Sequence, residues 1–343
     1  MNIIPQGTFG DDSETSAEVG LSGVGHGGGH VTEDVLGSDF AQEVLTLPDD
    51  YEGRVVATLV SRKRRGRTGK AVLYVHGYVD YFFQREMAER YCDMGFDFYA
   101  LDLRKYGRSL RPGQTPNFCK DIREYYPELN RAVEIIRERD GHGELLLSGH
   151  STGGLIASLY ADSVRSRNTI QALFLNSPFF EFNESWVKRQ VLIRLVSAVG
   201  RCCPFIEVPG GLSDLYGRSL HRDFAGEWAY NLEWKPCEGF PTTAGWLRAI
   251  HKAQKKLQAG LAIACPVLIM TSAQSCRFKV WDDRIMSTDA ILNTDDINRC
   301  AGSIGDRITR IRIAGGMHDL VLSAKEVRER VYTDLKTWLA TCG

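Results

Sequence analysis

Leu145-Leu146-Leu147-Ser148-Gly149-His150-Ser151-Thr152-Gly153-Gly154-Leu155-Ile156-Ala157 is the stretch on which the reading of this chain turns. A short apolar run of the kind that forms a buried strand passes through Gly-x-Ser-x-Gly into the apolar start of a helix. Glycines on either side of Ser151 leave room for a sharp turn. Such a turn forces the serine into a strained backbone conformation and lifts its hydroxyl to the N-terminus of the following helix. A chance pentapeptide accounts for the glycines but not for the strand before them and the helix after them. Ser151 is therefore read as a nucleophile.

Working outward, the text alternates. On the N-terminal side Phe40 to Leu47 and Val55 to Val60 read as paired strands, and Ala71 to Val75 is an apolar run ending in His76-Gly77. A helical stretch around Arg85 to Met94, a strand at Phe96 to Leu103 and an amphipathic helix from Tyr126 to Arg139 follow. Beyond the elbow come strands at Ala172 to Leu175, Pro266 to Met270 and Ile308 to Ile313, then a helix at Ala324 to Leu339. Strands alternating with helices predict an α/β fold, a mostly parallel sheet covered on both faces.

The rhythm breaks between Phe179 and Ala264, where Trp186, Trp228, Trp234 and Trp246 fall among several Gly and Pro. A stripe at Val187, Val191, Leu195 and Val199 predicts a helix whose apolar face packs inward over a pocket. The expected organisation is an N-terminal arm at 1–37, a core at 38–178 and 265–343, and an insertion at 179–264. The arm is rich in Gly, Ser, Asp and Glu, too polar to bury much surface. Its His26 and His30 lack carboxylate or thiol neighbours, so no metal site is expected there.

Composition narrows the function. The 343 residues carry Lys+Arg 42 against Asp+Glu 43, a formal charge of -1, without the basic excess of a nucleic-acid binder. Nine scattered cysteines, an odd number with no Cys-x-x-Cys, suit a reducing compartment rather than a disulfide framework. The first ten residues lack the basic and apolar regions of a signal peptide, and no apolar run approaches a membrane span of about eighteen residues. A cytoplasmic protein without membrane contact is the expectation.

A serine hydroxyl needs a base, an acid to orient that base, and donors for the oxyanion. His318, in the Gly-rich loop Ala314-Gly315-Gly316-Met317-His318-Asp319 between the last strand and the last helix, is the candidate base. The backbone amides of Tyr78, just after His76-Gly77, and of Thr152, just after the serine, are the candidate oxyanion donors. The segment after the strand Pro266 to Met270 offers no carboxylate, and Asp282, Asp283, Asp289, Asp295 and Asp296 come later. Asp289 precedes the apolar pair Ile291-Leu292, which can anchor an acid loop, whereas the others sit in settings typical of turns and helix caps.

These pieces resemble the α/β-hydrolases of the monoacylglycerol lipase and lysophospholipase-like branch, often labelled serine-aminopeptidase-like. The resemblance runs from about Phe40 to Leu339. It rests on His76-Gly77, on Asp102-Leu103-Arg104-Lys105-Tyr106-Gly107-Arg108-Ser109, on Gly149 to Gly153 and on Gly316-Met317-His318. It implies a cap at 179–264 and matches Asp289 to the position of the family's acid. Two departures stand out: Ala273 to Thr288 look inserted before that acid, and Lys105 replaces a common Gly. The implied chemistry is hydrolysis of a carboxylic ester through an acyl-enzyme, without metal or cofactor, on a small-molecule or lipid-like substrate held near Phe179, Trp186 and Trp246. An aminopeptidase or amidase on the same scaffold is the first alternative, with Glu181, Glu184 or Glu207 to hold a free amine. A non-catalytic ligand receptor with this fold is the second.

Overall fold

The computed structural model describes residues 30–185, 188–189, 191–209 and 213–342. Nine strands form one sheet in the order β1-β2-β3-β5-β4-β6-β7-β8-β9. β1 (Val31–Asp34), β2 (Gly37–Asp50) and β3 (Gly53–Arg62) pair antiparallel, and β3 joins β5 (Asp97–Asp102) in the same sense. From β5 onward all pairings are parallel, through β4 (Lys70–Val75), β6 (Glu144–His150), β7 (Ala172–Asn176), β8 (Val267–Ser272) and β9 (Ile308–Ile313).

The central strands read as unbroken apolar runs because both faces are buried. In β6 the pleat sends Leu145 and Leu147 into one core with Leu73, Ile156 and Leu173, and Leu146 into the other with Val72, Phe98 and Phe174. α1 (Arg85–Asp93), α2 (Tyr126–Glu134), α3 (Thr152–Ser163) and the C-terminal α8 (Lys325–Leu339) supply the helical layers. α2 runs on into a single π-turn at Ile135–Arg139.

Between β7 and β8 the chain forms α4 (Leu192–Cys202), α5 (Asp214–Leu220) and α6 (Ala244–Gln258). α7 (Thr294–Ala301) lies between β8 and β9. Val187 of the predicted stripe lies outside the described residues, and its other members do not face inward as the spacing predicts: Val191 is 62% exposed, Leu195 61% and Val199 39%, while Ile193, Ser197 and Gly200 are buried. The reason is close packing. A Cβ on Gly200 would stand 2.2 Å from the Ala244 carbonyl oxygen, so the face of small residues is the one that can approach α6. No helix among the described residues is long and apolar enough to cross a membrane.

The arm expected at 1–37 is corrected at its C-terminal end, since Val31–Asp34 is a strand and β2 already begins at Gly37. Residues 1–29, His26 among them, lie outside the described residues. What holds β1 in place is charge rather than apolar burial. Asp34 receives the Arg108 guanidinium at 2.6 and 2.8 Å, and the same guanidinium donates to Asp102 at 2.8 Å, all three side chains being buried. Arg108→Met should strand two buried carboxylates and lower unfolding free energy by about 3–5 kcal/mol, read as a shifted urea midpoint. An unchanged midpoint would show that β1 is held by something else.

Candidate active site

β6 delivers Ser151 to the carboxyl edge of the sheet, where it caps α3 at φ 51° and ψ -118°. Two glycines make that turn possible. A Cβ on Gly149 would lie 2.6 Å from the Gly153 oxygen, and one on Gly153 would lie 2.3 Å from the carbonyl oxygens of both Val75 and His76. The strained serine is also bonded on both sides of its backbone, its amide donating to Asn176 O at 3.0 Å and its carbonyl accepting from the Phe179 amide at 2.9 Å.

The three residues singled out by sequence come together. His318 Nε2 lies 3.0 Å from Ser151 Oγ, and His318 Nδ1 lies 2.9 Å from Asp289 Oδ2, with all three side chains buried. A carboxylate only accepts, so Nδ1 carries the ring proton and Nε2 is left to accept from the serine. Asp289 reaches this position although β8 ends at Ser272, because its backbone pairs with the strand's continuation. The Asp289 amide donates to Gln274 O at 2.9 Å and its carbonyl accepts from the Cys276 amide at 3.0 Å. Residues 277–288 therefore loop out and return. Its second oxygen, Oδ1, accepts from the Ile291 and Leu292 amides at 2.9 and 2.8 Å, which locks the carboxylate plane.

The competing carboxylates are engaged elsewhere. Asp282 pairs with Arg284 at 2.7 Å, Asp283 accepts from the Trp281 indole at 2.9 Å, Asp295 pairs with Arg312, and Asp296 pairs with Arg189 at 2.9 Å.

The amides of Tyr78 and Thr152 have no protein acceptor among the described residues. The Tyr78 amide is oriented indirectly by His76. The Leu103 amide donates to His76 Nε2 at 3.1 Å, so Nδ1 bears the proton and donates to Gly77 O at 2.8 Å. That carbonyl belongs to the same planar, trans peptide as the Tyr78 N–H, so gripping one fixes the direction of the other. The loop sits close to Ser151, since a Cβ on Gly77 would meet Ser151 Cβ at 3.2 Å.

A cavity of about 570 Å³ opens above these groups. Phe179 and Trp246 line it, as do Phe182, Ile193, Ile291 and Leu292. Trp186, expected beside them, lies outside the described residues. The Tyr78 ring stacks on Trp246 with centroids 4.0 Å apart, and burial pushes its phenol up to about 12, so it stays neutral. The excursion after β8 contributes Arg277, Phe278 and Lys279 to the wall.

Sequence reading missed a set of bracing residues. Asn176 donates to Asp319 Oδ1 at 2.6 Å and accepts from the Leu320 amide at 3.2 Å, tying the end of β7 to the loop that carries His318. Asn117 accepts from the Val79 amide at 3.1 Å. His150, in the elbow itself, approaches Asn176 O at 3.1 Å through Nδ1, and burial lowers its pKa. None of these has a local signature, because each partner lies far away in sequence.

Sheet order, strained elbow and convergent side chains define an α/β-hydrolase. The chain belongs to the family described as serine aminopeptidase, S33, whose pattern matches residues 66–322. Among solved structures it is similar to a soluble variant of monoglyceride lipase from Saccharomyces cerevisiae bound to a substrate analog. That match has 18% identity and a TM-score of 0.65, and covers 88% of this chain and 95% of the other. A monoacylglycerol lipase from Paleococcus ferrophilus matches at 17% identity and TM-score 0.61, over 84% and 99% of the two chains. A thermophilic esterase from Thermogutta terrifontis matches at 19% and 0.56, over 88% and 99%. No curated protein matches the sequence.

The elbow yields a direct prediction. Gly153→Ala places a methyl group against two backbone oxygens of β4 and its following loop, so the strand and α3 must part. Thermal unfolding should report a loss of at least about 1–3 kcal/mol, and a wild-type Tm would contradict the packing described.

Proposed function

We propose that this protein is a serine hydrolase that cleaves a carboxylic ester through an acyl-enzyme. The observation that carries this reading is the hydrogen-bonded series Ser151, His318, Asp289 at the floor of an apolar cavity. Ser151 Oγ attacks the carbonyl carbon while His318 Nε2 takes its proton. The tetrahedral oxyanion accepts from the Tyr78 and Thr152 amides, and Asp289 stabilises the imidazolium. Collapse expels the alcohol, which receives the proton from His318, and water then repeats the sequence to release the acid. This route uses no metal or cofactor. Residues 179–264 act as a cap in this reading, with Phe179 and Trp246 meeting the substrate.

Wall chemistry favours a neutral ester over an amine-terminated peptide. Among the described residues, the acidic side chains lining the cavity are Asp80 and Glu184. Each is matched by a cation, Lys235 at 2.6 Å from Asp80, and Lys188 and Arg277 at 3.3 and 3.5 Å from Glu184. Among the described residues, no lining carboxylate is left free to hold an ammonium group. The aminopeptidase reading has the family's description behind it and is separated by assay. Matched p-nitrophenyl esters of graded length, glyceryl esters and aminoacyl amides should show turnover with the esters, and a preference for the aminoacyl amides would reverse the assignment.

Ser151→Ala should abolish turnover and labelling by a fluorophosphonate while leaving the far-UV circular dichroism unchanged. A wild-type protein that resists the label would instead favour a ligand receptor. Asp289→Asn should reduce acylation by about 10⁴-fold, as loss of the correct tautomer does elsewhere, while Asp283→Asn and Asp296→Asn should change it little. Trp246→Ala should shift the preferred chain length across the ester panel, and unchanged selectivity would remove Trp246 from the substrate site.

A further inference from the structure

The loop that carries the Tyr78 amide is not held by the sheet alone. Asp80, only 2% exposed, accepts from the Gly77 amide through Oδ2 at 3.3 Å, and its Oδ1 lies 2.6 Å from Lys235 Nζ. Lys235 belongs to the segment between α5 and α6, outside the sheet, and stands on the cavity wall. The same ammonium reaches the Val79 carbonyl at 3.4 Å. Val79 holds φ 49°, a conformation that a β-branched residue adopts only where its surroundings impose it.

Neighbours of Lys235 close on the same loop. The Asn231 amide donates to Tyr81 Oη at 2.7 Å, Trp234 meets the Tyr81 ring edge-on with centroids 5.2 Å apart, and Tyr230 packs on Phe83 at 4.8 Å. The segment is thus fastened to residues 79–83 at several points, and Lys235 is its charged contact.

Charge makes that contact consequential. Burial by itself pushes the Asp80 carboxyl up, and the Lys235 ammonium opposes this, so that the group lies below the ordinary carboxylate range. An ionised carboxylate only accepts, which suits the Gly77 N–H. Without its cation Asp80 would be an unpaired buried charge, driven either to protonate or to move. Either response shifts Gly77, and the next peptide along is the one that bears the Tyr78 N–H.

We propose that Lys235, through its ion pair with Asp80, positions the Tyr78 amide, so that the segment over the cavity sets the geometry of the oxyanion site. The proposal rests on the serine-hydrolase reading above and assigns Lys235 no contact with the reacting atoms. It places part of the catalytic geometry under the control of residues outside the sheet.

The test is a double-mutant cycle on the full-length protein with a p-nitrophenyl ester, with active sites counted by complete fluorophosphonate labelling. Losing one oxyanion donor outright costs about 10²–10³ in kcat, so Lys235→Met, which displaces the donor without removing it, should lower kcat per labelled site about 10–100-fold and leave KM within about threefold. Asp80→Asn, whose amide oxygen still accepts from Gly77, should lower kcat by about tenfold, and the double variant should be no slower than Asp80→Asn alone. The double variant would therefore be at least as fast as Lys235→Met. Asp80→Asn and the double variant keep the test available should Lys235→Met not fold, because neither buries an unpaired carboxylate. Either single variant with wild-type kcat per labelled site, even at a lower Tm, would overturn the positioning role, as would an effect confined to KM. A wild-type protein that neither labels nor turns over would overturn the hydrolase reading, and this proposal with it.

Discussion

A serine at φ 51° and ψ -118° occupies backbone space that side chains avoid, and Ser151 stays there because three chain segments leave it no alternative. Gly149 and Gly153 let β6 fold back on α3, Gly153 lies against the end of β4, and the Asn176 carbonyl holds the serine amide from β7. Strain of this kind costs on the order of 1–3 kcal/mol and persists only inside a packed frame. The remaining site follows from that point. The loop after β4 sits against Ser151 Cβ, the loop after β9 brings His318 to its oxygen, and the return of the excursion after β8 sets Asp289 behind the imidazole.

Holding several loops at one sheet edge demands anchors, and this chain supplies them as buried ion pairs. Arg108 joins β1 to the end of β5, and Arg104 joins the next loop to Glu128 of α2 at 2.7 Å. Lys105 belongs to the same set. It stands at φ 64°, with its fully buried ammonium 2.7 Å from Asp50 and 2.5 Å from Glu52 at the β2–β3 turn. Lys105 is therefore a clamp: a left-handed backbone that glycine would adopt freely is retained by an ammonium held between two carboxylates. Asp80 with Lys235 extends the same device to the segment between β7 and β8. Buried pairs of this kind add little net stability, but breaking one is costly, so they favour a single arrangement of the loops over its alternatives.

Legibility in the sequence tracked the range of the interaction. Strands β4 to β8 announced themselves because burial on both faces leaves apolar runs, whereas β9 at the sheet edge shows itself through its recurring Ile among Thr and Arg. The elbow was equally plain, since strand, glycines, serine and helix are consecutive. β1 was hidden because Val31–Asp34 is held by Asp34 pairing with Arg108, an ion pair that no periodicity reveals. The α4 stripe misled for a related reason. Spacing finds an apolar face but not which face packs, and here Gly200 gives the small face the closer approach to α6.

What the sequence determined by itself is the local arrangement: a serine in a Gly-rich turn between a strand and a helix, a histidine in the last loop, and short loops after His76-Gly77 and at Ser151. Each depends on residues adjacent in the chain, whose covalent geometry and propensity suffice. Sequence singled out Asp289 among five late carboxylates by its apolar neighbours and by resemblance, but only the tertiary structure sets it behind His318, through backbone pairing to residues 274 and 276 across a looped-out excursion. It also decided that Lys235 meets Asp80 and that Asn176 meets Asp319. Such contacts form between groups distant in sequence that the sheet brings within hydrogen-bond range, and a buried polar group must find its partner wherever the fold has put one.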